Sequence, residues 1–173
     1  MELFLSSHLH SGQELCEEEF FDLQEKQQAL DCRDQAMVYL ARREHTAFEL
    51  RQKLQAKNFL PNQIDWALDF LLQKGYLSEL RYARALIASR QRKNPEGRII
   101  MARRLSSKGV NRNDAQQALD EWYSEEQTLS DVLKANVRLS PDCGPELAMM
   151  KLQKKGFSRQ EIKRALEKRD ELE

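Results

Sequence analysis

The fold of this chain is decided by one stretch that occurs three times: LQAKNFLPNQIDWAL at residues 54–68, LSSKGVNRNDAQQAL at residues 105–119 and LQKKGFSRQEIKRAL at residues 152–166. The copies begin 51 and 47 residues apart and align without a gap. Self-similarity at a period near fifty residues is typical of tandem repeats. Such arrays offer long surfaces, which usually serve extended partners.

Each copy predicts a helix, a tight stop and a second helix. The stop falls at Asn58, Gly109 and Gly156. This position favours a left-handed backbone, which Gly adopts freely and Asn tolerates. Ser158 and Glu161 form a capping box that starts the helix after the third stop. These local signals agree, so we predict two helices in every copy.

A further helix before each copy completes a small core. Apolar residues at three- and four-residue steps predict these helices at residues 34–43, 78–91 and 125–138. No stretch shows the apolar–polar alternation of a strand. The predicted fold class is therefore all-α, with three tandem three-helix repeats in an elongated, curved array. The predicted divisions are an acidic N-terminal extension, partly disordered or helical, at residues 1–33, and three-helix repeats at residues 34–76, 77–123 and 124–173.

The formal net charge is zero, but the charges are separated along the chain. Residues 1–34 carry nine acidic and two basic side chains, so the remainder has a net charge of +7. Residues 81–112 hold ten basic side chains against one acid, Glu96. An ordinary solvated helix face mixes signs, whereas a single-sign block attracts anionic partners. We expect that contact to be made by Arg81, Arg84, Arg90, Arg92, Lys93, Arg98, Arg103, Arg104 and Lys108.

Aromatic residues could either fill the core or stack on bases. Helical spacing favours a place in the core for six of them. For Trp122 and Tyr123, at the end of a predicted helix, both core packing and base stacking stay open. The six are Tyr39, Phe48, Phe59, Trp66, Phe70 and Tyr76.

No catalytic motif occurs in the sequence. We find neither a Gly-rich phosphate loop nor a nucleophile motif, so we predict no enzyme and no cofactor. His8 and His10 with Cys16 are only a weak match to a zinc site, so no metal is predicted.

The cysteines and the first residues indicate where the protein works. Cys16, Cys32 and Cys143 show no paired spacing, which predicts reduced thiols in the cytoplasm. The N-terminus has Glu2 and no basic region, so we expect no secretory signal. No apolar run is long enough for a membrane span, and we expect a monomer without membrane contact.

Three blocks together resemble the bacterial RecX family. They are ARREHT with ELRQKL at residues 41–46 and 49–54, GYLSELRYA at residues 75–83, and GRII through LSSKGV at residues 97–110. The resemblance covers about residues 34–169. Ser78 stands where an acid is common, residues 101–104 lack the usual glutamine–glutamate pair, and residues 1–33 have no counterpart.

The resemblance implies a regulator of the recombinase RecA. Proteins of this family consist of tandem three-helix repeats that lie along the RecA filament on single-stranded DNA and bridge neighbouring subunits. They inhibit strand exchange, ATP hydrolysis and co-protease activity. The expected partners are therefore the RecA filament and the single-stranded DNA within it.

Two alternatives remain open at the level of sequence. One is a helix-turn-helix-like DNA-binding regulator that acts without a recombinase, because the last helices of the repeats begin with residues suited to base contacts. These are Asn62-Gln63, Arg112-Asn113 and Arg159-Gln160. The other is a helical scaffold that binds only protein.

Overall fold

A computed structural model of the chain describes residues 14–139 and 143–170. Within these ranges there are nine α-helices and no strand, which confirms the all-α fold class. They are α1 (Glu17–Leu40), α2 (Ala47–Gln55), α3 (Pro61–Gln73), α4 (Glu79–Lys93), α5 (Arg98–Ser107), α6 (Arg112–Trp122), α7 (Glu125–Val137), α8 (Pro145–Lys154) and α9 (Arg159–Asp170). None of these helices is both long and apolar enough to cross a membrane. The chain divides into two compact units, Met1–Ser78 and Glu79–Glu173.

The first unit packs α1, α2 and α3 around one core. Thr46 starts α2, because its Oγ1 accepts a hydrogen bond from the Glu49 amide at 3.0 Å. Pro61 occupies the first turn of α3, where its missing N–H costs nothing. The buried apolar residues are Cys32, Ala36, Leu50, Leu54, Ile64, Ala67, Leu68, Leu71 and Leu77.

The first helix differs from its prediction. The sequence predicts a helix at residues 34–43, whereas α1 starts at Glu17 and ends at Leu40. Cys16 caps it, because its Sγ accepts from the Glu19 amide at 3.4 Å while Glu19 Oε2 accepts from the Cys16 amide at 3.0 Å. Residues 17–33 of the acidic extension are thus helical, and the rest of the extension before residue 14 lies outside the described residues. Cys32 is fully buried, and burial raises the pKa of its thiol to about 11.

The second unit contains the six helices α4 to α9 and two cores. One core lies among α4, α5 and α6, and its buried residues are Tyr82, Ala83, Ile87, Met101, Leu105, Val110, Ala118 and Leu119. The other lies among α7, α8 and α9, with Val132, Ala135, Leu152, Phe157, Ile162 and Ala165. Two three-helix groups therefore sit within one compact unit. The limits of the repeats, residues 34–76, 77–123 and 124–173, stay a prediction.

A close backbone contact joins these two groups. The Gly97 amide donates to the Lys155 carbonyl at 2.8 Å. A Cβ atom on Gly97 would lie 2.0 Å from the Gly156 carbonyl oxygen, and one on Gly156 would lie 2.6 Å from Ile100 Cγ1. Only glycine fits at such a distance, so this contact fixes how the two groups meet.

The three predicted helix stops are confirmed. Asn58, Gly109 and Gly156 have φ angles of 63°, 76° and 90°. After each stop, the next amide donates back to the carbonyl of the leucine that opens the repeated stretch, at 3.1–3.3 Å. This is the hydrogen-bond pattern of a glycine-type helix end. Ser158 also caps α9 as predicted, with the Glu161 amide 3.2 Å from its Oγ.

Several residues predicted for the core lie at the surface instead. Tyr39, Phe59 and Phe70 pack against the core of the first unit. In contrast, Phe48, Trp66 and Tyr76 are 47%, 43% and 51% exposed. Phe48 and Trp66 lie on the outer sides of α2 and α3, because a single helix buries only one stripe and the spacing alone leaves the edge of that stripe undefined. Tyr76 lies between α3 and α4, outside any helix.

Candidate contact surface

The nine cations predicted to contact an anionic partner all lie in the second unit, and we call this set the basic surface. α4 carries Arg81, Arg84, Arg90, Arg92 and Lys93, α5 carries Arg98, Arg103 and Arg104, and Lys108 directly follows α5. Seven of the nine side chains are exposed, while Arg98 and Arg104 are partly covered.

Two arginines of the basic surface are paired with acids of α6. Arg84 donates through Nε and Nη2 to the two carboxylate oxygens of Glu121, each at 2.7 Å. This pairing raises the pKa of Arg84 and lowers that of Glu121. Arg98 Nη2 lies 2.5 Å from Asp120 Oδ1. Because both acids lie beyond residue 112, the count over residues 81–112 did not include them. The charges of both arginines are compensated within the second unit.

A third arginine, Arg104, completes a buried polar cluster. Its Nε and Nη2 donate to the carboxylate of Glu96 at 2.6 and 2.7 Å, and Glu96 is only 5% exposed. Gln91 accepts from the Glu96 amide at 2.8 Å, and the Tyr123 hydroxyl donates to the Glu96 carbonyl at 2.8 Å. The hydrogen bond to Glu96 raises the pKa of Arg104. The charge of Arg104 is therefore also compensated within the protein.

The remaining six cations of the basic surface fall into two sets. Arg81 and Lys108 have interactions within the protein. Arg90, Arg92 and Lys93, at the C-terminal end of α4, and Arg103 on α5 are exposed and form no ion pair with another side chain in the described ranges. Contact with an anionic partner stays a prediction for these four cations.

Sequence reasoning missed a cation that supports this surface from α7. Arg138 donates to the carbonyls of Arg92, at 3.1 Å, and Lys93. A cation at the C-terminal end of a helix satisfies its last carbonyls and its dipole. Lys134 lies in the last turn of α7 and Arg138 caps its C-terminal end; their spacing of four residues places them on one side of the helix. Both lie outside residues 81–112, where the basic side chains were counted.

The first unit contains a different polar cluster, around a histidine. His45 is 2% exposed, and its Nδ1 lies 3.1 Å from Glu49 Oε2, which Arg43 Nη1 also approaches at 3.0 Å. Burial, aided by the charges of Arg43 and Lys53, lowers the pKa of His45 below its usual 6.5. His8 and His10, two residues of the weak zinc match, lie outside the described residues. No group of three His, Cys, Asp or Glu residues within residues 14–139 and 143–170 could hold a metal ion.

The fold and this surface define a class of protein: an all-helical repeat protein in which one three-helix group, α4 to α6, carries the basic surface. Residues 32–71 match the first three-helix domain of RecX, and residues 78–119 match the second. The regulatory protein RecX of Vibrio vulnificus (strain CMCP6) is 31% identical over 141 residues, which are 79% of this chain and 92% of that protein. This chain belongs to the RecX family of regulatory proteins.

Further likenesses agree with this assignment. The regulatory protein RecX of Prosthecochloris aestuarii (strain DSM 271 / SK 413) is 34% identical over 138 residues, covering 78% of this chain and 90% of that protein. A crystal structure of a regulatory protein RecX superposes with a TM-score of 0.84 at 19% identity and covers 96% of this chain and 86% of that one. The structural likeness supports the fold.

Proposed function

We propose that this protein binds the RecA filament on single-stranded DNA and inhibits its recombinase, ATPase and co-protease activities. It acts without catalysis, as a cytoplasmic monomer. The membership in the RecX family carries the proposal, and the exposed cations of the basic surface suit a polymer that contains DNA.

The mechanism follows from repetition. A filament presents the same subunit many times, and this chain presents similar three-helix groups many residues apart. Contacts that are individually weak add up when one molecule makes several of them, because each contact raises the effective concentration for the next. Bridging neighbouring subunits then hinders the movements that ATP turnover requires.

The contact is assigned most directly to Arg90 and Arg103. Both side chains are exposed, and neither pairs with another described side chain, whereas Arg104 stabilises the buried Glu96. Reversing Arg104 would therefore confuse loss of binding with loss of folding. Arg90 and Arg103 separate these effects.

The test is filament binding by charge-reversal variants. Arg90→Glu combined with Arg103→Glu should weaken binding to RecA filaments on labelled single-stranded DNA by about tenfold or more, since each reversal turns an attraction into a repulsion. Lys163→Glu, which reverses an exposed cation of α9, is the matched control. Equal affinity of the double variant and the control, with intact circular dichroism, would remove the basic surface from the proposal.

One observation counts against the helix-turn-helix alternative. Gln63, one of its candidate base-contact residues, is 4% exposed. Its Oε1 accepts from the Leu60 amide at 3.0 Å, and its Nε2 donates to Gln28 Oε1 at 2.6 Å. Its polar atoms are thus used inside the first unit and are not presented to a base edge.

A further inference from the structure

A concave hollow of about 540 Å³ lies in the second unit, where α4 and α6 of one three-helix group approach α7 of the next. Ligand pockets in proteins commonly have volumes of roughly 300–1,000 Å³, and the volume of this hollow lies within that range. We call it the Trp122 hollow. The side chains that matter here are Arg92, Trp122, Gln127, Asp131, Lys134 and Arg138.

The aromatic wall of this hollow is held in place by a buried acid. Trp122 is half-buried at the end of α6, and its Nε1 donates to Asp131 Oδ2 at 3.0 Å. Asp131 is only 1% exposed, and its other oxygen accepts from Gln127 Nε2 at 2.9 Å. Because the indole is fixed by this bond, a flat ligand can stack on it without first ordering the side chain.

The rim of the hollow is cationic and combines two three-helix groups. Arg92 comes from α4, and Lys134 comes from α7 with a side chain 54% exposed. Arg138 donates to the last carbonyls of α4 and thereby keeps Arg92 beside α7. Lys134 Nζ lies 3.7 Å from Asp131 Oδ1, but that acid is the only negative group among the lining residues, against three cations.

A fixed aromatic face beside several cations matches the chemistry of single-stranded nucleic acid. Such sites combine base stacking on an aromatic side chain with cations that follow the phosphates. An acidic peptide would use the cations but not the indole, and the bases of a duplex are already stacked on one another. The observations therefore favour an unpaired nucleotide over either of these.

We propose that the Trp122 hollow binds one nucleotide of a single strand, with the base against Trp122 and the phosphate between Arg92 and Lys134. The inference rests on the proposed function only in identifying that strand as the DNA of the filament. Binding itself requires no recombinase, so the two can be tested separately.

The test follows the fluorescence of Trp122 while a short oligothymidylate is added to the whole chain. The protein has two tryptophans, so Trp66→Phe leaves Trp122 as the sole reporter. We expect saturable quenching, and at least tenfold weaker binding of a duplex of the same length. In that background, Arg92→Glu or Lys134→Glu should each weaken binding about tenfold, and Lys163→Glu, outside the hollow, less than threefold. Absence of quenching, or equal losses in all three variants, would overturn the proposal.

The stacking contact has its own test, measured by anisotropy of a labelled oligothymidylate. Trp122→Phe keeps an aromatic face and should bind within about threefold of wild type, whereas Trp122→Leu should lose about tenfold. Equal affinities would refute stacking. Should the leucine variant unfold, the exposed Arg92 and Lys134 variants still decide the matter.

Inhibition of recombinase turnover separates this inference from the proposed function. If the protein shows the quenching and its dependence on Arg92 and Lys134 but does not inhibit RecA, nucleotide binding in the Trp122 hollow is supported and the proposed function is refuted. If it inhibits RecA without any quenching, the proposed function stands and the hollow is refuted.

Discussion

At the scale of single residues, Arg104 and Arg103 show why neighbours in one basic run have different roles. Arg104 donates hydrogen bonds to both oxygens of the buried Glu96 carboxylate. The Arg103 side chain is exposed and forms no ion pair with another described side chain. A buried charge that loses its partner is costly, whereas an exposed cation contributes little to folding. One residue serves the fold, and the other is available to a partner.

Alanine substitutions should separate these roles. Arg104→Ala should lower the free energy of unfolding by about 1–3 kcal/mol, because Glu96 is left without its charged partner. Arg103→Ala should change it by less than about 0.5 kcal/mol. Urea denaturation followed by circular dichroism measures both, and similar losses would contradict the assignment of Arg104 to the fold.

His45 makes the stability of the first unit depend on pH. Since its pKa is lowered in the folded state, the unfolded chain takes up a proton more readily. The neutral form of His45 therefore stabilises the folded state fully above pH 6.5, the usual pKa of histidine. This contribution to the free energy of unfolding is lost as the pH falls through the lowered pKa.

The expected result is a smaller free energy of unfolding at pH 5 than at pH 7, with a steeper decrease in wild type than in His45→Gln. Urea titrations at several pH values give both slopes. Parallel curves for the two proteins would show that His45 does not titrate as its burial requires.

At the scale of helices, the features that the sequence predicted are those with local causes. The stops at Asn58, Gly109 and Gly156 follow from backbone preferences of single residues, and the cap at Ser158 from a contact three residues away. All four could be read from the chain because no distant partner is involved.

The features that the sequence could not predict depend on distant segments. Gly97 approaches Gly156 across 59 positions, and the pairing of Arg84 with Glu121 joins α4 to α6. The spacing of apolar residues shows which face of a helix is apolar. It does not show which acid on another helix will pair with a given arginine. The start of α1 was not predicted, because residues 17–28 are mostly polar or acidic and show little apolar stripe. The helix begins at Glu17, after the N-cap residue Cys16.

The glycine contact predicts a difference between two glycines that both precede a helix. Gly97→Ala would place a Cβ against the backbone of Gly156 and should destabilise the second unit by about 1–3 kcal/mol or more. The Cβ of Gly144→Ala would meet nothing within 4 Å, so this variant should lose only the N-cap preference for glycine, about 1 kcal/mol or less. Thermal melting compares them, and equal melting temperatures would contradict the close contact.

At the scale of the whole molecule, the separation of charge matters more than its sum. The formal net charge is zero, yet α1 begins with three consecutive acids and the second unit carries the exposed cations of α4 and α5. A repeat protein with a cation-rich three-helix group suits a repetitive anionic polymer better than a single compact ligand.

The most direct measurement of the central claim is a titration of this protein into RecA filaments on single-stranded DNA while ATP turnover is followed. Bridging of neighbouring subunits predicts that turnover falls at amounts well below one molecule per recombinase subunit, and that Arg90→Glu with Arg103→Glu shifts the curve to higher concentrations. Undiminished turnover at an equimolar amount of folded protein would contradict the account.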